Sequence, residues 1–423
     1  MRNLYTYFLL LILLSCAKKE EVKIDVPKKN ITPTESEDLN PRTELDSTPL
    51  QEKESHQKPE IIERKKLIDS NFLENFSFQI DTVLIDSKGT LIYLPFGILN
   101  SDLSESKTDL YALNSKTNTL YQFDLDKLEF ANSFKFEKEG PNGVPAPIWK
   151  FQLLGNNNIF FANYRHFGTY NFQGQKLNNN QINEDKFPSL VQFGSFPIYE
   201  SLSSSFDGNH IYFLNQNLEN EKINLGIYDI ERDQSELIEL PKFDFLTNLV
   251  FIYSEGISHH VSNTSDLGIK MEKSRAIIYS KGTSKIYLYD LLNGSLDYKE
   301  PKHQLVANDQ IPPFSNDISS IQEIIDANES TRFQIAYQAP LYDDQREIYF
   351  RFGSILEKTE NLNPKSKSEV FLFAYDKNFN LLSETKIDDL SKSPTQAFFK
   401  DGKLWSYVNV EDELGFAVFT FDF

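Results

Sequence analysis

Residues 207–213 read Asp207-Gly208-Asn209-His210-Ile211-Tyr212-Phe213, and the chain answers them with Ile227-Tyr228-Asp229. Asp-Gly is a turn pair, since glycine takes positive φ at no steric cost and aspartate bonds back to the turn amides. The β-branched and aromatic run that follows suits a pleated, packed strand. The second phrase is a strand that ends on an aromatic and a turn-forming aspartate. Working outward, the first phrase recurs at Lys107–Tyr111, Asn157–Phe161, Ser274–Tyr279, Arg346–Phe350 and Asp401–Trp405. The second recurs at Tyr121–Asp124, Thr169–Asn171, Leu288–Asp290, Ala374–Asp376 and Thr420–Asp422, one after each first phrase. Anchored on Leu110, Ile159, Ile211, Ile277, Ile348 and Leu404, the six units lie 49, 52, 66, 71 and 56 residues apart.

Six units of that length predict an all-β fold, a six-bladed β-propeller of four-stranded antiparallel blades, since propeller repeats run from about 40 residues upward. One such sheet cannot bury both faces, whereas six packed radially can. The first phrase is then strand b and the second strand c. Candidates for the axial strand a are Thr90–Phe96, Ile148–Leu154, Pro197–Ser203, Arg332–Gln338 and Thr395–Lys400, with the fourth blade's somewhere in Gly256–Ser262. A short helix is expected near Ile318–Ala327. The chain ends at Phe423, on a strand c, so the last blade lacks its outer strand. Phe76–Val83, otherwise unassigned, is expected to complete that blade and close the ring. Seven blades or a two-sheet β-sandwich with long insertions are the alternatives.

The propeller is assigned to 71–423, and what precedes it is of another kind. Arg2, the apolar run Leu4–Leu14 and Ser15-Cys16 read as a signal peptide over 1–15. The run is too short to span a bilayer, which takes about 20 apolar residues. Leu13-Leu14-Ser15-Cys16 resembles the lipobox of bacterial lipoproteins, which implies lipidation at Cys16. Cys16 is the only cysteine, so no intramolecular disulfide can form. Residues 17–70 hold five prolines and no Phe, Tyr, Trp or Gly. Without aromatic burial to offset the entropy of ordering, 16–70 is expected to be a disordered tether carrying the lipidated cysteine. Such a coil spans about 40 Å. Lys18-Lys19-Glu20-Glu21 resembles the lysine-plus-acidic export signal of Bacteroidota surface lipoproteins, or is an ordinary charged linker.

Of the net charge of −19, the first 16 residues contribute +1 and the next 54 contribute −2, leaving −18 for the propeller. So acidic a body argues against nucleic acid as a partner, since phosphate binding needs a basic surface. It also disfavours direct docking onto anionic lipid.

A family resemblance rests on particular phrases. Asp207–Phe213 resembles the turn-and-strand signature of TolB-like propellers. Phe136-Glu137-Lys138-Glu139-Gly140-Pro141-Asn142-Gly143, Phe151-Gln152-Leu153-Leu154 and Leu84-Ile85-Asp86-Ser87-Lys88-Gly89 are similar to a Bacteroidota lipoprotein family of unknown function. The resemblance covers about 75–423. It implies a six-bladed TolB-like propeller in the cell envelope, at the outer membrane and facing the periplasm or the cell surface. It carries over no catalytic residue.

No nucleophile elbow, zincin helix, phosphate loop or EF-hand loop occurs; Gly256-Ile257-Ser258-His259-His260 has histidine where an elbow needs its second glycine. Ser203–Tyr212 reads as a hairpin turn, with only a faint likeness to a sialidase Asp-box. Three places stand out as weak ligand-binding candidates, each with a plainer reading. Tyr164-Arg165-His166 lies in the b–c connection of blade two, where Arg can grip a carboxylate and His can act near neutral pH; a solvated hairpin tip is the alternative. Glu139–Pro147, between blades one and two, could present Asn142 and Trp149, or be a structural corner. His259 and His260 are adjacent, but two ligands do not make a metal site. No cofactor and no metal are expected. The a–b and c–d tips look too tight for recognition, which places it on the b–c and d–a face. The leading expectation is a membrane-tethered, non-enzymatic binding module for a protein, peptide or glycan. A propeller hydrolase or lyase acting on polysaccharide or peptide is the rival, and a structural part of an envelope complex the third possibility.

Overall fold

A computed structural model describes residues 71–188, 201–255, 258–264, 266–314, 318–358 and 367–423. The signal peptide, Cys16 and the tether lie outside the described residues.

Six antiparallel sheets form the blades of a propeller. Blade one runs from a (Ser101–Leu103) through b (Asp109–Asn114) and c (Thr119–Asp124) to d (Glu129–Lys135). Blade two is Lys150–Leu154, Asn158–Ala162, His166–Asn171 and Lys176–Gln181 in the same order; blade three is Leu202–Ser204, His210–Asn217, Lys222–Asp229 and Gln234–Glu239. Blade four is Leu267–Met271, Arg275–Ser280, Thr283–Asp290 and Leu296–Lys299. In blade five two short inner segments, Ala336–Tyr337 and Leu341–Asp343, pair with b (Ile348–Leu356), followed by Ser368–Tyr375 and Leu381–Lys386. Blade six is Ala397–Lys400, Lys403–Val410 and Glu413–Asp422, and its outer strand is the N-terminal Ser77–Leu84. That strand pairs with strand c over eight residues, from Ser77↔Asp422 to Leu84↔Gly415. Every first phrase of the repeat is a strand b, every second a strand c, and the ring closes as the sequence predicts.

Burial follows from the radial stacking. Strands b and c are sandwiched on both faces, so Ile211–Asn215 is buried without alternation, whereas the outer Gln234–Glu239 is mostly exposed. Six apolar cores result, one in each gap between neighbouring blades. The gap between blades two and three, for example, holds Phe160, Phe167 and Phe187 against Phe213 and Tyr228. Closure is visible in the last gap, where Trp405, Phe416 and Val418 of blade six pack on Leu110 and Phe123 of blade one.

Polar bonds between neighbouring blades tie the inner part of the ring together. Leu153 N donates to Asp102 Oδ2 (2.8 Å), Gln152 Nε2 to the Ser204 carbonyl (2.9 Å), and Lys270 Nζ to the Pro340 carbonyl (2.7 Å). Between blades six and one, Ile98 N donates to Gln396 Oε1 (2.7 Å). Arg351, fully buried between blades four and five, has no carboxylate partner among the described residues. Its guanidinium donates to the carbonyls of Gln338 (2.7 Å), Ser280 (2.7 Å) and Ser284 (3.2 Å).

The inner strands are where the sequence reading needs correction. Strand a of blade one is Ser101–Leu103, and the predicted Thr90–Phe96 instead runs along the surface with Leu91 and Phe96 exposed. Strand a of blade four is Leu267–Met271, whereas Ser258–Asn263 pairs with Val250–Glu255 in a separate hairpin. In blade three the strand is Leu202–Ser204, and 197–200 lie outside the described residues; in blade five Arg332 belongs to a helix. That helix, α1, spans Ile321–Arg332, later than predicted, because Ser320 caps it by accepting from Glu323 N (3.3 Å). It packs Ile324 and Ala327 against Phe251 of the hairpin. None of the described helices is long and apolar enough to cross a membrane.

Candidate ligand-binding cavity

Because strand a runs the same way in every blade, all a–b and c–d turns emerge on one face. Each a–b turn occupies the few residues just before a repeat anchor, and its chemistry is local. In blade three Asp207 Oδ1 accepts from Asn209 N (3.0 Å) and Gly208 takes φ 78°. In blade two Asn156 and Asn157 are both left-handed, at φ 58° and 57°, a conformation asparagine tolerates better than most residues.

The tips of blades one to five converge around a cavity of about 1080 Å³. Single turns are as tight as the sequence suggested; the space arises from their arrangement around the axis. Asp102 stands at its inner end, where burial pushes its carboxyl up despite the amide hydrogen bonds from Leu153 and Leu103. Nearby Lys270 is pushed down to about 8, mainly by burial. On the wall between blades four and five, Arg275 donates from Nε to Glu272 (2.8 Å), from Nη2 to the Tyr349 hydroxyl (2.7 Å) and from Nη1 to the Lys377 carbonyl (2.6 Å). Tyr349 also donates to Glu272, and burial together with that carboxylate holds its phenol well above the ordinary range. At the mouth Lys273 of blade four pairs with Glu105 of blade one and lies 5.5 Å from the ring centre of Phe206. Lys107 of blade one pairs with Asp344 of blade five at 3.0 Å. These carboxylates and cations are engaged with one another, an arrangement suited to fixing shape and offering hydrogen bonds.

The residues singled out from sequence lie elsewhere. Trp149, Tyr164 and Arg165 do come together on the b–c side of blade two: the Trp149 and Tyr164 rings are 5.2 Å apart, and the Arg165 guanidinium lies 4.9 Å from the Tyr164 centroid. His166 opens strand c, its amide held by Asn163 Oδ1 (2.9 Å). Asn142 is separate and accepts from Lys176 N (3.2 Å). His260 stacks on Tyr253 at 6.2 Å in the hairpin, while the side chain of His259 lies outside the described residues. Among the described residues no group of three His, Cys, Asp or Glu side chains could hold a metal. None of these candidates lines the cavity. The cavity residues carry a weak sequence signal in their place: Glu105, Lys107, Glu272 and Lys273 all fall within five residues before an anchor.

The family model described as a domain of unknown function, DUF4221, matches residues 70–386. The chain belongs to the DUF4221 family. The matched segment takes in the closing strand and blades one to five. A DUF4221 protein of Bacteroides vulgatus has a solved structure that superposes with a TM-score of 0.60 at 16% identity, over 82% of this chain and 98% of that one. A Bacteroides fragilis protein named as exported gives 0.48 at 12% identity, over 82% and 95%. The WD40 domain of Neurospora crassa Pan2 gives 0.39 at 7%, over 80% and 95%. No functionally curated protein matches the chain. At these identities the first likeness speaks for the fold, and this DUF4221 member is a six-bladed propeller.

Proposed function

We propose that this DUF4221 member is an exported lipoprotein, held at the outer membrane by acyl chains on Cys16, whose propeller binds a partner in the axial cavity. The lipobox-like Leu13-Leu14-Ser15-Cys16 and the proline-bearing, aromatic-free segment after it support the anchor. The observation that carries the binding reading is the convergence of the a–b turns of four blades, and the c–d turn of blade five, on one cavity of about 1080 Å³, walled by oriented polar groups. Ligand sites of about 300–1,000 Å³ are typically built this way, concave and with a few placed polar atoms.

A second reading rests on the Trp149–Tyr164–Arg165 stack, which would offer an aromatic and cationic platform on the opposite face. One experiment separates them: residues 17–423, immobilised, capture partners from a solubilised envelope extract. Phe206→Ala and Lys273→Ala should reduce capture at least tenfold with an unchanged melting temperature, since an exposed ion pair adds only about 0–1 kcal/mol to stability. Arg165→Ala and His166→Ala should leave capture intact. The reverse pattern moves recognition to the b–c face and overturns the cavity.

A further inference from the structure

The axial cavity does not end at the channel. It shares Tyr111, Asn156, Asn157 and Phe172 with a second space of about 530 Å³ that runs outward between blades one and two. None of the nine residues lining this groove is charged, in a chain of which a quarter is charged and whose propeller carries most of a strong negative charge. Three of them are aromatic and five bear side-chain amides. We propose that the groove takes a neutral glycan chain, which continues into the axial cavity; this rests on the reading of the propeller as a ligand-binding module.

The chemistry argues for that class. An anionic ligand would call for Lys or Arg along the groove and a cationic one for carboxylates, and the groove has neither. Tyr111 and Phe134 both pack around Phe172, with ring centres 5.5 and 4.8 Å from it, and all three stay partly exposed. Together they form a corrugated apolar floor on which the C–H face of a pyranose can lie against π-density. The rim is amide. A carboxamide both donates and accepts, which is what a row of hydroxyls requires. Asn156 and Asn157 are exposed at the left-handed tip of blade two, and neither side chain makes a hydrogen bond among the described residues. Their amides are held out at the junction of groove and cavity with their bonding capacity unspent.

The test is titration calorimetry of residues 17–423 with maltohexaose, cellohexaose and mannohexaose, with oligogalacturonate and an uncharged Ala/Ser/Gly hexapeptide alongside. At least one neutral hexasaccharide should bind, with an affinity unchanged between about 50 and 500 mM NaCl because no charge is screened. Asn156→Ala and Asn157→Ala should weaken it at least fivefold, and Phe172→Ala at least tenfold. The asparagine variants, exposed and unbonded, keep the test valid where loss of the Phe172 ring disturbs packing. Binding of the oligogalacturonate or the peptide alone, or neutral binding indifferent to all three substitutions, overturns the proposal. If neutral sugars neither bind nor compete while Phe206→Ala and Lys273→Ala still abolish partner capture, the glycan groove falls and the binding module stands. If nothing is captured and nothing binds, both fall.

Discussion

Arg351 shows what a single residue does in this ring. A buried guanidinium is costly unless its donors are satisfied, and here three backbone carbonyls from two blades accept from it. Burial pulls its pKa down, yet the fork geometry suits the three oxygens, and the Tyr337 ring lies 4.8 Å away. Arg351→Leu removes the donor and strands these carbonyls in the gap between blades four and five. The expected loss is about 3 kcal/mol or more, read from the urea midpoint at unchanged slope. Arg351→Lys should recover only part of it, because one ammonium cannot replace a planar fork. In the sequence, Arg351 is a charged residue inside an apolar run. Its partners lie 13 to 71 residues away along the chain, so no local pattern reveals the role. The same holds for Glu272 and Tyr349, which meet only across the gap between blades four and five.

At the scale of elements, strands b and c were easier to read than the innermost strand a. Strands b and c are packed on both faces and so carry continuous aliphatic and aromatic runs. Strand a faces the channel with one side and is short, as in Ser101–Leu103, so it lacks an apolar signature. That is why the apolar Thr90–Phe96 drew the assignment in blade one and why the fourth blade's strand was sought too early. The N-terminal strand was legible because alternating Phe76, Phe78 and Ile80 had no blade of its own and the last blade lacked a strand. Phe76 packs edge-on against Phe421 at 5.0 Å, and Phe78 lies 5.6 Å from Phe419. A chain beginning at residue 71 should therefore melt like one beginning at residue 17. A chain beginning at residue 86 should lose several kcal/mol or fail to fold, because it exposes the edge of Glu413–Asp422 and the apolar cluster around Phe421. Equal melting temperatures for all three would show that the strand does not hold the ring.

For the whole molecule, the proposed anchor sets where the propeller works. Cys16→Ser removes the only thiol, so the variant should lose acyl labelling and appear in the soluble fraction after a carbonate wash. Membrane association that survives the substitution would refute the lipoprotein reading. The sequence by itself determined the number of blades and their b and c strands, because these are written in a local pattern that recurs along the chain, and the closing strand, because it was left over where the last blade lacked one. It also determined the acidic balance of the propeller. Only the tertiary structure decided which residues face one another. A propeller brings together turns that are 49 to 71 residues apart in sequence, and a turn that is too tight to bind anything becomes one wall of a cavity when the turns of other blades point at the same axis. Asn156 and Phe172 meet Tyr111 of the neighbouring blade for the same reason. Radial packing sets neighbours by blade order, and side-chain chemistry along the chain carries no record of that closeness.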